Sequence, residues 1–388
     1  MVANDADLLE LDAELSDEER DLRDVVREFA TKRLLPHVAD WYEAGALPRE
    51  IAVEMGALGL LGMHLDGYGC AGTSAVSYGL ACLELEAADS GCRSFVSVQG
   101  SLAMFPIRSY GSEEQRAEWL PRMAAGEAIG CFGLTEPDAG SDPGNMRTRA
   151  RRDAGGDWII DGTKMWITNG SIADVAIVWA QTDDGVRGFV VPTDEPGFSA
   201  STVGRKLSLR ASVTSELVFD GLRLPATAVL PGVQGMRGPL SCLSEARFGI
   251  VFGVVGAARA CFEAALDYSL TREQFGRPIA AFQLTQQKLV EMMLQVQKAN
   301  LVALRLGRIK DDHGLRPAQV SVGKLDNVRA ALDVARTARG VLGANGITLD
   351  YPVMRHMTNL ESVITYEGTS EIHTLVLGQA LTGHAAFS

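Results

Sequence analysis

The sequence predicts an α+β protein in three parts: an N-terminal α-helical domain over 1–130, a central antiparallel β-domain over 131–240 and a C-terminal four-helix bundle over 241–388. Helical apolar periodicity gives way near residue 131 to short strand-like runs punctuated by Asp-Gly pairs. It returns near residue 241 in long stretches, the last of which is interrupted at Thr365-Tyr366-Glu367-Gly368-Thr369.

Each element has a local signal. Ser16-Asp17-Glu18-Glu19 is an N-cap hydroxyl followed by acids, opening an amphipathic run through Phe29, and Ser112-Glu113-Glu114-Gln115 repeats the device before Trp119 and Leu120. Gly67-Tyr68-Gly69-Cys70-Ala71-Gly72 reads as a loop. In the β-region Asp161-Gly162 lies between Trp158-Ile159-Ile160 and Met165-Trp166-Ile167-Thr168. Asp184-Gly185 separates the runs 175–179 and 188–191, and Asp220-Gly221 follows 216–219. Each pair predicts a hairpin turn, because such turns need φ > 0. Helical pieces near 241–270, 283–311, 317–342 and 353–381, joined by short connections, predict the bundle.

The chain has 388 residues, 46% of them apolar and 22% charged, enough for a sizeable core. A net charge of −13 argues against a broad basic footprint for nucleic acid. The six cysteines, Cys70, Cys82, Cys92, Cys131, Cys242 and Cys261, form no C-x-x-C pair, which predicts free buried thiols in a reducing compartment. The first residues are acidic and lack the order of a signal peptide. The best apolar candidate, Phe248 to Ala258, is shorter than a membrane span. These readings predict a cytoplasmic protein with no nucleic-acid partner and no membrane span. There is no H-E-x-x-H zinc motif, no G-x-S-x-G elbow and no Walker-type phosphate loop. His356 and His373 read as packing or surface residues rather than metal ligands.

The interruption near the C-terminus is the most informative feature. Leu360, Val363 and Ile364 precede it at helical spacing, Ile372, Leu375, Val376 and Gln379 resume the pattern, and Thr369 or Ser370 is placed as an N-cap. A glycine beside a lone carboxylate breaks the helix and leaves Glu367 at the mouth of two helices, aimed into apolar space. Desolvation there raises its pKa towards that of a useful proton acceptor. A solvated inter-helix turn is the other reading of these residues taken alone.

Further polar clusters lie at segment junctions. Phe132-Gly133-Leu134-Thr135-Glu136-Pro137 runs into Ala139-Gly140-Ser141-Asp142-Pro143, where small residues let a backbone approach a flat ligand and Thr135 and Ser141 supply hydroxyls. Trp166 and Thr168 mark a strand end. Arg272-Glu273-Gln274-Phe275-Gly276-Arg277-Pro278, followed by Phe282-Gln283, closes the first bundle helix; its arginine either clamps a phosphate or decorates a helix C-terminus. Leu342-Gly343-Ala344-Asn345-Gly346 reads as a C-cap. Glu86 and Arg93 share a helical face if the helix persists across Asp89-Ser90-Gly91; if it ends there, Arg93 caps the end. An ordinary ion pair is the plain alternative.

In this order, with the Glu367 run, these pieces resemble the acyl-CoA dehydrogenase flavoprotein family over essentially the whole chain. A narrower set, GYGCAG at 67–72, LELEAADSG with Arg93-Ser94, VQGSLAM at 98–104, KLSLRAS at 206–212 and TYEGTSEIH at 365–373, resembles its glutaryl-CoA branch. The resemblance implies FAD between the β-domain and the bundle, and a homotetramer built as a dimer of dimers. Phe132, Leu134, Thr135 and Ser141 would line the flavin and its neighbourhood, Ser141 also facing substrate, with Trp166 and Thr168 at the isoalloxazine. Arg272, Phe275 and Gln283 would hold the pyrophosphate and adenosine, reaching from a neighbouring subunit. Leu342, Gly343 and Gly346 would contribute backbone, and Thr369 would touch the cofactor beside the base; Ala344 stands where the family pattern has glycine.

By the same resemblance Glu367 removes the α-proton of an acyl-CoA thioester while the β-hydride passes to flavin. Arg247 stands near thioester and base, and Tyr366 orders a carboxylate or water beside them. Glu86, Arg93, Ser94 and Ser97 would receive a distal carboxylate. The implied reaction is oxidative decarboxylation of glutaryl-CoA to crotonyl-CoA and CO2, with electron transfer flavoprotein as acceptor. The alternatives are dehydrogenation of a dicarboxylyl- or short-chain acyl thioester without CO2 loss, and a non-catalytic flavin-containing binding protein.

Overall fold

The computed structural model describes residues 7–386. Helix α1 (Asp17–Phe29) starts in the capping box its sequence predicts: Ser16 Oγ accepts from Glu19 N at 3.2 Å, and Glu19 Oε2 accepts from Ser16 N at 2.9 Å. A π-helical turn, Ala30–Leu34, leads to α2 (Val38–Ala44) and α3 (Glu50–Ala57). The segment read as a loop at 67–72 forms a small hairpin, β1 (Asp66–Gly67) with β2 (Cys70–Ala71). Then come α4 (Ala75–Ala88) and α5 (Ser90–Ser97), the latter continuing through π-helical Val98–Met104 into α6 (Phe105–Tyr110). Helix α7 (Glu113–Ala124) opens with the second capping box, Ser112 with Gln115.

The strands are β3 (Gly130–Gly133), β4 (Arg149–Arg152), β5 (Trp158–Thr168), β6 (Val175–Thr182), β7 (Gly185–Pro192), β8 (Phe198–Thr202) and β9 (Thr214–Leu224). They form one seven-stranded sheet in the order β3-β6-β4-β5-β9-β8, with β7 paired to β6. Four of its strand pairs are antiparallel as expected, while two, β3–β6 and β4–β6, run parallel. Strands β4 and β5 intervene in sequence between β3 and β6, and supply the crossover a parallel pair needs.

Of the Asp-Gly pairs, Asp184-Gly185 lies at the β6–β7 hairpin. The other two do not turn the chain. Asp161-Gly162 lies inside β5 and Asp220-Gly221 inside β9, where the register shifts between Ile160 and Gly162. Asp161 Oδ1 accepts from Gly221 N at 2.8 Å, and Gly162 and Gly221 have φ of 148° and 58°. Glycine conformations suited to a turn are absorbed instead as facing bulges.

The C-terminal part comprises α8 (Arg237–Thr271), the hairpin β10 (Glu273–Gln274) and β11 (Arg277–Pro278), α9 (Gln283–His313), α10 (Pro317–Leu342), α11 (Pro352–Val363) and α12 (Ser370–Thr382). The predicted interruption falls between α11 and α12, with Thr369 Oγ1 accepting from Ile372 N at 3.4 Å as the cap. Helix α8 is the central element, packed on α10, α4, α9 and α11. The sequence-based expectation that no apolar stretch reaches membrane-span length is also corrected. A window of α8 has mean hydropathy 1.6, yet 72% of that window is buried inside the protein. It is a core helix.

Two glycines let α8 approach α4. A Cβ at Gly256 would lie 1.9 Å from Leu83 O, and one at Gly253 would lie 2.1 Å from Glu86 Oε2. The α4–α5 break is fastened from α11: Asp89 Oδ1 accepts from Gly91 N at 2.7 Å, while its other oxygen accepts from Arg355 and from Asn359 Nδ2, the latter at 2.9 Å. Asn359 Oδ1 in turn accepts from Leu209 N at 2.8 Å, tying the KLSLRAS segment to α11. Lys206 folds that segment by donating to Leu209 O at 2.9 Å and Ser212 O at 2.6 Å. All six cysteines are free, and five are buried.

Gly256→Ala is expected to force α4 and α8 apart and to cost roughly 1–3 kcal/mol, the usual penalty for overpacking. A thermal-unfolding midpoint equal to that of the unmodified protein would show that the two helices do not need this approach.

Candidate active site

The α11–α12 connection is built around a left-handed residue that is not glycine. Glu367 has φ 52° and Gly368 φ 101°. Its three carbonyls are gathered by cations from two helices: Arg247 Nε on α8 donates to Glu367 O at 2.6 Å, and Lys324 Nζ on α10 donates to Tyr366 O at 2.8 Å and Gly368 O at 2.6 Å. Glu367 Oε2 is inaccessible to solvent and has no hydrogen-bond partner. Burial pushes its pKa up, and the charges of Arg93, Arg247 and Lys324 oppose that shift without cancelling it. The predicted apolar surroundings are therefore corrected in one respect: three buried or half-buried cations stand around the carboxyl.

Tyr366 joins this loop to a second cluster. Arg93, fully buried on α5, donates through Nε to Glu86 Oε2 on α4 at 2.6 Å and through Nη2 to Tyr366 Oη. Its guanidinium carbon lies 5.9 Å from the Tyr366 ring centroid. Helix α4 ends at Asp89 and Arg93 sits inside α5, so the arginine pairs across the break; the alternative in which it caps a helix end is corrected. Arg93 Nη1, Glu86 Oε1 and Ser97 Oγ are buried without partners. Unsatisfied buried groups of this kind are costly. Ser94 is buried next to Arg93 on α5, but forms no hydrogen bond into the pair.

The residues expected at the flavin fall into three groups. Thr135 and Trp166 are brought together, since Met165 N donates to Thr135 O at 2.8 Å. Trp166 holds a left-handed φ of 64° at a bulge near the end of β5 and is 58% exposed, and Thr168 is half-buried beyond it. Phe132 and Leu134, by contrast, turn their side chains into the core, Phe132 packing edge-on to Trp179 at 6.4 Å. Ser141 is exposed in the loop before β4 and is not drawn into either cluster.

Arg272, Phe275 and Gln283 are exposed around the β10–β11 hairpin, Phe275 to 94%. Arg272 closes α8 roughly 35–40 Å along the helix from Arg247, at the rise of about 1.5 Å per residue. A cavity of about 270 Å³ beside Phe275, also lined by Phe282 and Gly340, opens there. Leu342 ends α10, and Gly343 (φ 59°) and Gly346 belong to the turn Gly343–Ile347, with Ala344 exposed in it. Thr369 shares the Glu367 loop.

His356 and His373 are packing residues, bonded to Ala87 O at 3.2 Å and Ser321 Oγ at 2.9 Å. Among the described residues no group of three or more His, Cys, Asp or Glu could hold a metal ion.

Comparison with known proteins decides the family. Residues 16–127 match the acyl-CoA dehydrogenase N-terminal domain, 131–222 its middle domain and 233–382 its C-terminal domain. The chain belongs to the acyl-CoA dehydrogenase family. Among solved structures it is similar to a glutaryl-CoA dehydrogenase from Mycobacterium smegmatis at 67% identity, with TM-score 0.97 over 98% of this chain and 99% of that one. A second Mycobacterium smegmatis glutaryl-CoA dehydrogenase, in complex with FADH2, is 63% identical, with TM-score 0.98 over 99% of both chains. The human mitochondrial short-chain specific acyl-CoA dehydrogenase is 34% identical over 94% of this chain and 90% of its own length.

Several residues of this acyl-CoA dehydrogenase were not singled out by its sequence. Glu136 accepts from Arg147 N at 2.5 Å, Thr148 N at 3.0 Å and Lys164 Nζ at 2.8 Å, while Lys164 also donates to Leu134 O at 3.0 Å. This buried pair sews the FGLTEP turn to β5, and burial pulls Lys164 down to about 8. Lys324 and Gly253 were missed likewise. Each acts through a partner far away in sequence, so no local pattern marks it.

The Glu86–Arg93 pair makes a stability test. Arg93→Met leaves the Glu86 carboxylate buried and unpaired and should cost roughly 3–5 kcal/mol, whereas the double change Glu86→Leu with Arg93→Met should recover much of the loss. Denaturant titration of the three proteins checks this; equal losses for the single and double variants would contradict it.

Proposed function

We propose that the chain is an FAD-dependent acyl-CoA dehydrogenase that oxidises and decarboxylates glutaryl-CoA to crotonyl-CoA and CO2. The observation that carries this reading is the link through Tyr366: an unpartnered, desolvated carboxyl and an unpartnered edge of a buried guanidinium are connected by one hydrogen-bonded side chain. The carboxyl suits proton abstraction and the guanidinium suits a substrate anion.

The residues present fit the cofactor. An exposed indole in a strained bulge beside Thr135 and Thr168 offers a platform for a flat ring, and Arg272 with Phe275 offers a clamp for a pyrophosphate and an aromatic face for a base. FAD, when bound, supplies the acceptor for the hydride that leaves the substrate β-carbon. Because Arg272, Phe275 and Gln283 are exposed far from Arg247, their action on the cofactor is proposed to cross subunits in a homotetramer arranged as a dimer of dimers. Electron transfer flavoprotein is the proposed electron acceptor, on the strength of the family.

Within the site, Glu367 takes the α-proton next to the thioester carbonyl, and its own backbone N–H is proposed to donate to the carbonyl oxygen, where negative charge grows. Arg93 with Ser97 receives the distal carboxylate. Its charge is shared with Glu86, so the substrate anion meets a partly neutralised cation rather than a bare one. Loss of the α-proton and β-hydride leaves a double bond conjugated to the thioester. The Cγ–carboxylate bond then breaks, its electron pair enters the conjugated system, and CO2 departs. Glu367 returns its proton to the γ-carbon of the dienolate, giving crotonyl-CoA.

Incubation with glutaryl-CoA and an artificial electron acceptor should give crotonyl-CoA by mass; glutaconyl-CoA as the sole product would exclude decarboxylation. Glu367→Gln should keep FAD yet fail to bleach it with substrate, and normal bleaching would remove Glu367 from the base role. Because Glu367 acts deprotonated and burial raises its pKa, the rate of bleaching should fall with falling pH along a limb above the ordinary glutamate range. A rate that stays level down through that range would contradict the assignment.

A further inference from the structure

We infer that Lys324 is a positioning residue for Glu367, bridging the carbonyls on either side of it and lending buried positive charge to its loop. This inference rests on the reading of Glu367 as the base. Lys324 is 1% exposed on α10. An ammonium carries three donors, and two of them are used on Tyr366 O and Gly368 O. Those two carbonyls flank a residue whose φ of 52° an L-amino acid with a Cβ adopts only when its surroundings impose it. Arg247 takes the carbonyl between them. The two helices together impose the conformation, and Lys324 alone spans it.

The neighbours explain why a cation is used. Glu367 faces Arg93 from α5, Arg247 from α8 and Lys324 from α10, with the Tyr366 phenol in its own loop and Glu86 of α4 behind Arg93. From α12, His373 Nε2 lies 2.9 Å from where a Cβ on Gly368 would stand, and burial, followed by the charges of Lys324 and Arg247, pushes that ring down to about 3, so it contributes no charge. Lys324 itself is pulled down to about 7 by burial, with Arg247 and Arg93 repelling its charge and Glu367 supporting it. Glu367 and Lys324 therefore each favour the ionised form of the other. Removal of the ammonium leaves the carboxyl harder to ionise, and the pH at which the base becomes active rises.

The test uses FAD-loaded protein, butyryl-CoA (which carries no distal carboxylate) and single-turnover bleaching across pH for Lys324→Met, Lys324→Gln and Glu367→Gln. In Lys324→Met the saturating rate should fall at least roughly tenfold with a much smaller change in the substrate concentration for half-saturation, as befits a misplaced base. In both lysine variants the acid limb should move up by roughly one pH unit, the scale of a lost neighbouring charge. Lys324→Gln keeps a donor for the loop, so it carries the test if Lys324→Met fails to fold, and it should recover part of the rate but not the limb. A limb that stays at its wild-type pH in the variants, with or without loss of rate, overturns the inference while Glu367→Gln remains inactive. Normal bleaching by Glu367→Gln overturns the base reading, and this inference with it.

Discussion

A carboxyl cannot be stripped of water and still ionise near neutral pH unless positive charge is stationed beside it. That constraint organises the centre of this acyl-CoA dehydrogenase. Glu367 is desolvated in a left-handed loop, and the three cations that temper its burial come from α5, α8 and α10. Each of those cations is itself difficult to bury, and each is compensated by something other than Glu367. Arg93 has Glu86, Arg247 has the Glu367 carbonyl, and Lys324 has the carbonyls on both sides. Close packing of the helices that carry them follows, because a shift of any one would leave a charge unpaired in the interior.

The same constraint accounts for details remote from Glu367. The α4–α5 break exists because Asp89 accepts from the Gly91 N–H at the start of α5 and from Arg355 and Asn359, which turns Arg93 back across the break onto Glu86. Gly253 leaves room for that pair against α8. On the β-domain side the buried Glu136–Lys164 ion pair fixes the FGLTEP turn, as Arg247 and Lys324 fix the Glu367 loop through its carbonyls. The KLSLRAS segment, folded on Lys206 and bonded to Asn359, connects the sheet to α11 just ahead of Glu367.

Local chemistry made much of the fold legible. The capping boxes at Ser16 and Ser112, the interruption at Thr365–Thr369 with its Thr369 cap, and the close of α8 at Arg272 are written in neighbouring residues, where side chain and backbone meet without help from elsewhere. The Asp-Gly pairs show where this stops. The same dipeptide makes a hairpin at Asp184 and a bulge at Asp161 and Asp220, and only the facing strand distinguishes them. Glu367 could be picked out because a glycine stood beside it; Lys324 could not, since its contacts lie 42 and 44 residues away. Phe132 and Leu134 carried the motif but turned their side chains into the core, because a strand presents backbone and side chain to different neighbours.

The proton exchange proposed for the carboxyl of Glu367 is with the carbon chain of the thioester. Its most direct measurement is deuterium incorporation from D2O into the methyl group of crotonyl-CoA, followed by mass on the FAD-loaded protein. Steady γ-exchange by the unmodified protein and none above background by Glu367→Gln are expected. Exchange by Glu367→Gln at the unmodified rate would contradict it.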